Sequence, residues 1–469
     1  MSVDAPLGAT PQSGAFELTH RGAAELRHPL DGTRRQAWRE HLLVTAIPVL
    51  GLLLCVAGTR TNTLVPESIR PVTATKMAGP LQHIGFTLGV PAVIGVILLL
   101  FASYLLAMRS IDRVSPRFVI GAIVALNVIV LIGPPLFSTD VFSYQAYARM
   151  FAVYHTNPYT HGPAAIGLDQ TYSYIASKWI FTPSVYGPLF TLMSSAFAST
   201  TVATSELIFK LIAVCASGGT LYLIWRAARA RGLNPGRGVA MFGLNPVVTL
   251  YGVGGGHNDL LMLFFTTWGV YAIITQRERA GGALLSLGAA IKLTGAVVFP
   301  FALLSGVKLG AADRRHRIVV GAAATVAVIG VVSYLAFGTG ILQMPGTLQA
   351  VQDKGEWQSV PGFLFAVTRM SVTHAVRLVV DVLLAGALLY LLRRVWQGTM
   401  DWIDGAAWAM FAVLVTAWAM LPWYVSWMIP LVALGTSPRL WKATVFMTMV
   451  ACGMMIFDVI PHGIPLLNI

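Results

Sequence analysis

The amino-acid sequence predicts an all-α fold, a polytopic transmembrane helical bundle of about 11 to 13 membrane segments with large external loops bearing juxtamembrane helices. Three observations carry this expectation. Hydrophobic residues make up 56% of the 469-residue chain and charged residues only 11%, whereas a soluble domain carries about 25% charged residues. Mean hydropathy is +0.70. Apolar runs of spanning length recur, separated by short basic clusters, so the formal net charge of +13 follows the positive-inside rule and argues against a nucleic-acid partner.

Taken in order, residues 1–40 are polar and rich in Pro, Gly and Arg, and read as a disordered cytoplasmic tail with no cleavable signal. Arg34, Arg35 and Arg39 precede a first span, 42–58, expected to run outward. A second, 86–108, returns, so that 41–117 holds two helices ahead of a module covering 118–469. Arg109, Arg113 and Arg117 mark an inner loop, and the span 118–137 then leads out to Asp140 and a long external loop, 138–186. Beyond the basic residues Arg226, Arg229, Arg231 and Arg237, residues 238–254 run outward to a glycine turn, and 260–274 returns. The stretch 318–337 opens onto a second external loop, 338–373, followed by spans at 376–392, 403–421, 425–436 and 443–458. Residues 187–225 and 282–305 fit the alternation of sides only if each contains a broken or re-entrant helix, which is tolerated where backbone lines a protein cavity. Cys55, Cys215 and Cys452 fall inside apolar runs, too scattered for a metal site, and read as packing residues.

This arrangement collects the chain's chemistry on one outer face: Asp140, Arg149, His155, Lys178, His257, Asn258, Asp259, the 338–373 loop with Gln352, Asp353, Lys354, Glu356, Trp357 and Arg369, and Trp423 and Tyr424. Ionisable groups at the membrane boundary are costly, so a set of them points to function, although paired structural ions and interfacial aromatic belts use the same residue types. Asp140 within Ser138-Thr139-Asp140 also suits a helix start. Lys292, alone among apolar residues before Pro300, sits where a helix break is expected and could grip a phosphate, or could snorkel to the interface. Lys210 lies four residues after Glu206, which favours a structural pair, and Asp381 reads as structural. The run Gly254-Gly255-Gly256-His257-Asn258-Asp259 lacks the spacing and the Lys-Ser/Thr ending of a P-loop, so its glycines read as a tight turn. Asn258 and Asp259 suit hydrogen bonds to sugar hydroxyls, or half of a metal site with Asp140. No His-x-Glu, Cys-x-x-Cys or nucleotide fingerprint is present, which favours a lipid-borne substrate; no cofactor is indicated, and a divalent metal stays open without assigned ligands.

Several fragments, in order, resemble the integral-membrane glycosyltransferases of the GT-C class that use polyprenyl-phosphate sugars. They are Asp140-Val141-Phe142-Ser143-Tyr144, Asn157-Pro158-Tyr159, Thr182-Pro183-Ser184-Val185-Tyr186-Gly187-Pro188-Leu189, Leu244-Asn245-Pro246 leading to Gly256-His257-Asn258-Asp259, Lys292, and Pro422-Trp423-Tyr424. The likeness is strongest to actinobacterial alpha-1,6-mannosyltransferases dependent on polyprenol-phosphomannose, which build lipomannan and lipoarabinomannan. The chain departs from that pattern in two additional spans before Asp140 and in showing no large polar C-terminal segment.

The resemblance implies a multi-pass enzyme of the cell membrane with its N-terminus in the cytoplasm and its site on the external, periplasmic face. Mannose would pass from a polyprenyl-phosphate donor to a glycolipid or mannan acceptor with inversion. Asp140 would be the general base, and Lys292, Arg369, His257 and Lys178 would meet the donor phosphate. Tyr144, Arg149, Tyr186, Asn258, Asp259, Glu356, Trp357, Trp423 and Tyr424 would contact sugar or acceptor. The alternatives are a related enzyme moving arabinofuranose, glucose or galactose, and a transporter or flippase of lipid-linked saccharides.

Overall fold

The computed structural model describes residues 29–305, 312–355, 359–368 and 372–460. Most of the expected tail, together with Glu356, Trp357 and Arg369, lies outside the described residues. Among the described residues there are helices and no strand. Alpha-helices follow at Pro29–Gly58 (α1), Val90–Ser110 (α2), Pro116–Ile132 (α3), Asp140–Ala152 (α4), Pro188–Ser195 (α5) and Val202–Ala230 (α6). Next come Pro235–Gly243 (α7), Asp259–Ile274 (α8), Glu278–Ile291 (α9), Phe299–Leu303 (α10), Ala312–Phe337 (α11) and Met344–Lys354 (α12). The last five are Val360–Thr368 (α13), His374–Trp396 (α14), Trp402–Thr416 (α15), Ile429–Leu434 (α16) and Pro438–Asp458 (α17). Six helical stretches are long and apolar enough to cross a membrane: 38–58, 90–113, 202–230, 312–354, 374–396 and 438–458; five shorter apolar helices accompany them. The protein is an all-α helical membrane protein.

Local chemistry sets many of the boundaries. Proline opens α3, α5, α7 and α17, where its missing N–H costs nothing. Ser115, Thr201, Asn234, Thr373 and Asp401 each accept an amide of the first turn of the helix they precede. The expected span 118–137 stops at Ile132, because Gly133-Pro134-Pro135 cannot continue it. The expected span 238–254 is divided: α7 ends at Gly243, Asn245 Oδ1 accepts the Val247 amide at 2.9 Å, and a wide π-turn, Val247–Val253, follows. The expected span 403–421 ends at Thr416 and gives way to a tight 3₁₀ segment, Pro422–Trp427. Residues 282–305 break at Lys292, and 187–225 divide into α5 and the long α6. The segment 138–186, expected outside, begins with a helix, α4.

The core follows from these elements. Helices α8 and α9 pack side by side, with α11 against α9 and α6 against α8. The first two helices belong to the same body: α1 packs on α2 and α3, and Tyr104 of α2 donates to the Met241 carbonyl at 2.9 Å. Asn245 then donates to the Tyr104 hydroxyl at 3.2 Å, closing the helix break against α2. On the outside, Val326, Val328 and Val331 of α11 and Leu378, Val382 and Leu383 of α14 are exposed, as hydrocarbon-facing helices require. Cys55 and Cys452 are buried, whereas Cys215 is exposed on α6, facing away from the core in which it was expected to pack.

Candidate functional site

Asp140 owes its position to a doubled-back connection. After α3 ends, the Leu136 amide donates to the Gly254 carbonyl at 3.3 Å, and the Phe137 amide donates to the Leu64 carbonyl at 3.2 Å. Phe137 itself takes φ 61°, an unusual conformation for a bulky side chain. The chain is thereby turned so that Asp140 starts α4 beside the glycine turn that precedes His257, with its amide bonded to Ser138 Oγ at 3.2 Å. In the turn, Gly256 takes φ 63°, the left-handed region that suits glycine. His257 follows, its amide donating to the Gly252 carbonyl at 2.9 Å. Asp259 opens α8.

Lys292 arrives from the opposite side. The segment 182–189 is pinned by Tyr147, which donates to the Thr182 carbonyl at 2.7 Å, and by Tyr159, whose hydroxyl donates to the Tyr186 carbonyl at 2.9 Å. Asn157 holds the Tyr159 amide at 3.0 Å, which explains the Asn157-Pro158-Tyr159 fragment as a brace. So anchored, Gly187 donates its amide to the Ile291 carbonyl at 3.0 Å, at the last turn of α9. A Cβ on Gly187 would stand 2.1 Å from the Ala290 carbonyl oxygen, so only glycine permits this approach. Lys292 caps α9 in an extended conformation (φ −151°, ψ 125°) and swings away from the helix axis.

The two approaches meet at a cavity of about 330 Å³, the size of a small-molecule site, lined by Asp140, Ser143, Tyr147, Trp179, Thr182, Tyr186, Lys292, Gln352, Arg377, Asp381, Trp418, Tyr424 and Trp427. Lys292 Nζ donates to Asp259 Oδ1 at 2.7 Å and stands 4.5 Å and 5.1 Å from the ring centres of Tyr424 and Trp427. Trp427 Nε1 donates to the same carboxylate oxygen at 2.5 Å. Behind this wall lies a buried polar layer. His257 Nδ1 is 3.5 Å from Asp140 Oδ2 and 3.9 Å from Asp259 Oδ2, and its ring stacks on Trp423 with centres 4.0 Å apart. The Tyr144 hydroxyl lies 3.4 Å from Asn258 Oδ1. Burial, followed by the charge of Asp140, pushes the Tyr144 and Tyr186 hydroxyls well above the usual phenol range, so both remain donors at neutral pH.

Of the residues expected at the site, Asp140, Tyr186, Lys292 and Tyr424 line the cavity. Tyr144, His257, Asn258, Asp259 and Trp423 form the layer behind it, each at most 5% exposed. His257, with no exposed side-chain surface, is walled off from the place expected for a phosphate ligand. Arg149 is turned elsewhere: it holds Asp169 through two nitrogens at 2.7 Å and donates to the Ala198 carbonyl, bracing the 138–186 loop. Lys178 is exposed, 5.2 Å from the ring of Trp179. Gln352 comes from the 338–373 loop expected on this face; Arg377, Trp427 and Asp381 were not expected at the site. Arg377 carried a signal, since it lies in the first turn of an apolar helix, at the end expected outside, where the positive-inside rule disfavours arginine. Its guanidinium donates to the carbonyls of Gln352 and Asp353 at 3.1 Å and 2.7 Å and lies 4.6 Å over Trp418. Among the described residues no group of three or more His, Cys, Asp or Glu side chains gathers as a metal site would.

Comparison with known proteins shows the family. Residues 46–308 match the family model described as alpha-(1->6)-mannopyranosyltransferase, N-terminal domain, and residues 185–456 match glycosyltransferase family 87. The chain is 28% identical to alpha-(1->6)-mannopyranosyltransferase A of Mycobacterium tuberculosis, over 63% of its own length and 61% of the relative's. It is 26% identical to alpha-(1->6)-mannopyranosyltransferase A of Corynebacterium glutamicum, over 68% of this chain and 70% of that one. With alpha-(1->6)-mannopyranosyltransferase B of the same organism it shares 24% identity over 90% of this chain and 78% of the relative.

Proposed function

Because the chain belongs to the alpha-(1->6)-mannopyranosyltransferase family and to glycosyltransferase family 87, we propose that it transfers mannose from a polyprenyl-phosphate donor to a glycolipid or mannan acceptor. Transfer takes place at the external face of the cell membrane, with inversion at the anomeric carbon. Residues 118–469 form the catalytic module, α1 and α2 brace it, and the segments 138–186 and 338–373 face outside.

The observation that carries the reading is the pairing, on the walls of one cavity, of a carboxylate at a helix start with a lysine at a helix break, Asp140 and Lys292. In the transfer, an acceptor hydroxyl attacks the anomeric carbon as its proton passes to Asp140, and the bond to the phosphate oxygen breaks on the opposite side. Negative charge grows on the departing phosphate. Lys292 and Arg377 are cations on the cavity wall, placed to meet that charge. Lys292 exchanges its bond with Asp259 for one to phosphate, with Trp427 still donating to that carboxylate. Tyr186, Tyr424 and Trp427 offer flat faces to the sugar ring and prenyl chain. A second cavity, about 390 Å³, lies between α5, α9 and α11 and is lined by aliphatic side chains such as Leu189, Leu287 and Val328, without titratable groups.

The test is transfer by the purified full-length protein in nanodiscs, with polyprenyl-phosphate mannose and a short alpha-mannoside. Wild type should transfer, and Asp140→Asn should bind donor lipid while losing about 10²- to 10⁴-fold in rate. An Asp140→Asn variant that keeps most of the rate would remove Asp140 from the role. A well-folded wild type inert toward this donor would redirect the search to arabinofuranosyl, glucosyl or galactosyl lipids.

A further inference from the structure

His257 is the least comfortable polar group near the cavity. Its side chain has no exposed surface, and neither ring nitrogen has a hydrogen-bond partner within the structure. Leaving such a group buried and unsatisfied costs free energy, so its retention calls for a reason. It does not line the cavity, whereas Asp140 does. What it can reach is Asp140. Nδ1 lies 3.5 Å from Asp140 Oδ2, slightly beyond hydrogen-bond length, and the ring plane is held by the stack on Trp423, whose interplanar angle is 28°. The charged and titratable groups around the ring are Asp140 on α4 and Asp259 on α8, with Lys292 acting through Asp259 and Tyr144 acting through Asn258.

Resting on the reading of Asp140 as the base, we propose that His257 is a positioning residue for the transfer. Its Nδ1–H turns the Asp140 carboxylate toward the acceptor hydroxyl and closes to a full hydrogen bond when substrate orders the cavity. Asp259 is the less suited partner, at 3.9 Å and with Oδ1 already taken by Lys292 and Trp427. The arrangement uses the logic by which one side chain fixes the orientation of another that does the chemistry. It also accounts for the glycine turn: the left-handed Gly256 brings the ring beneath the first turn of α4.

The experiment compares His257→Phe, His257→Asn and His257→Gln with wild type and Asp140→Asn in the nanodisc assay, measuring kcat and both Michaelis constants. Phe keeps the ring stack and loses the N–H. Asn places an amide nitrogen where Nδ1 stands, and Gln places one where Nε2 stands. His257→Phe should lose about 10- to 100-fold in kcat with both Michaelis constants within about twofold of wild type. Asn should recover most of the rate and Gln little. If His257→Phe does not fold, by its melting temperature and elution in detergent, the contrast between Asn and Gln decides. The proposal is overturned if the Phe variant keeps its kcat, if Asn is no better than Gln, or if the donor Michaelis constant rises while kcat holds, which would return the ring to a phosphate role. An active His257→Phe beside an inactive Asp140→Asn defeats this inference alone, whereas an active Asp140→Asn defeats the reading beneath it.

Discussion

Two lysines lie in apolar stretches of this chain, each bound to a carboxylate, and their surroundings differ. Lys210 is buried at 0% exposure on α6, with Glu206 one turn before it at 3.3 Å and the Gly133 carbonyl accepting its Nζ at 2.7 Å. Its charge is consumed in holding the end of α3, from which the chain turns toward Asp140. Lys292 also has an acidic partner, Asp259, but keeps 13% of its side chain exposed on the cavity wall, between aromatic rings. Both are paired lysines, yet only the second has room beside it for another anion. The comparison teaches that the pairing does not separate a structural ion from a functional one; the space next to it does.

That contrast can be broken by experiment. Lys210→Met should have the largest effect on folding, because it leaves Glu206 buried without its partner, a loss of about 3–5 kcal/mol. Melting temperature and monodisperse elution in detergent would fall sharply, and Lys210→Met combined with Glu206→Leu should restore much of both. A single variant as stable as wild type would show that the pair does not hold the end of α3. Lys292→Ala should lower the melting temperature less than Lys210→Met does, because Trp427 still donates to the buried Asp259 carboxylate that loses its cation, and should raise the donor Michaelis constant about 10- to 100-fold, as for a lost hydrogen bond to a charged group. An unchanged donor constant with normal turnover would remove Lys292 from the phosphate. Arg377→Ala should act in the same direction but more weakly, roughly 3- to 10-fold, because its guanidinium is shared with two backbone carbonyls; an effect on the acceptor constant alone would move it to the acceptor side.

The smallest effect should come from the brace of the 138–186 loop. Burial raises the Asp169 carboxyl, but bonds from the Thr171 amide and hydroxyl, from Arg149 and from Tyr154 outweigh it and hold the group below its usual 3.8. A depressed folded value contributes stability above pH 3.8 that is lost as pH falls through the folded value. Asp169→Asn should therefore melt lower than wild type at pH 7, and the gap should narrow on acidification below about pH 4. A gap independent of pH would assign the loss to packing.

Legibility in the sequence followed the range of the interaction. Asp140 stood out because a carboxylate just past an apolar run is conspicuous in one dimension, and Lys292 because it is the lone base of its stretch. The Glu206–Lys210 pair could be read from helical spacing alone. Arg149 misled, since its partner Asp169 lies 20 residues on, in a loop without periodicity. The fate of His257 was hidden as well: its neighbours to the glycine turn could be read, whereas its seat behind Asp140 required knowing how α4 docks on α8.

By itself, the sequence determined a membrane-embedded helical protein, the long loop that opens with Asp140, the break at Lys292, and kinship with a mannosyltransferase family. Hydropathy, helix-breaking residues and ordered fragments are properties of neighbouring positions and survive without coordinates. Only the tertiary structure decided which charges share a cavity. Lys292 and Trp427 reach Asp259 across 33 and 168 residues, respectively, and such contacts depend on how helices pack, which local pattern does not encode.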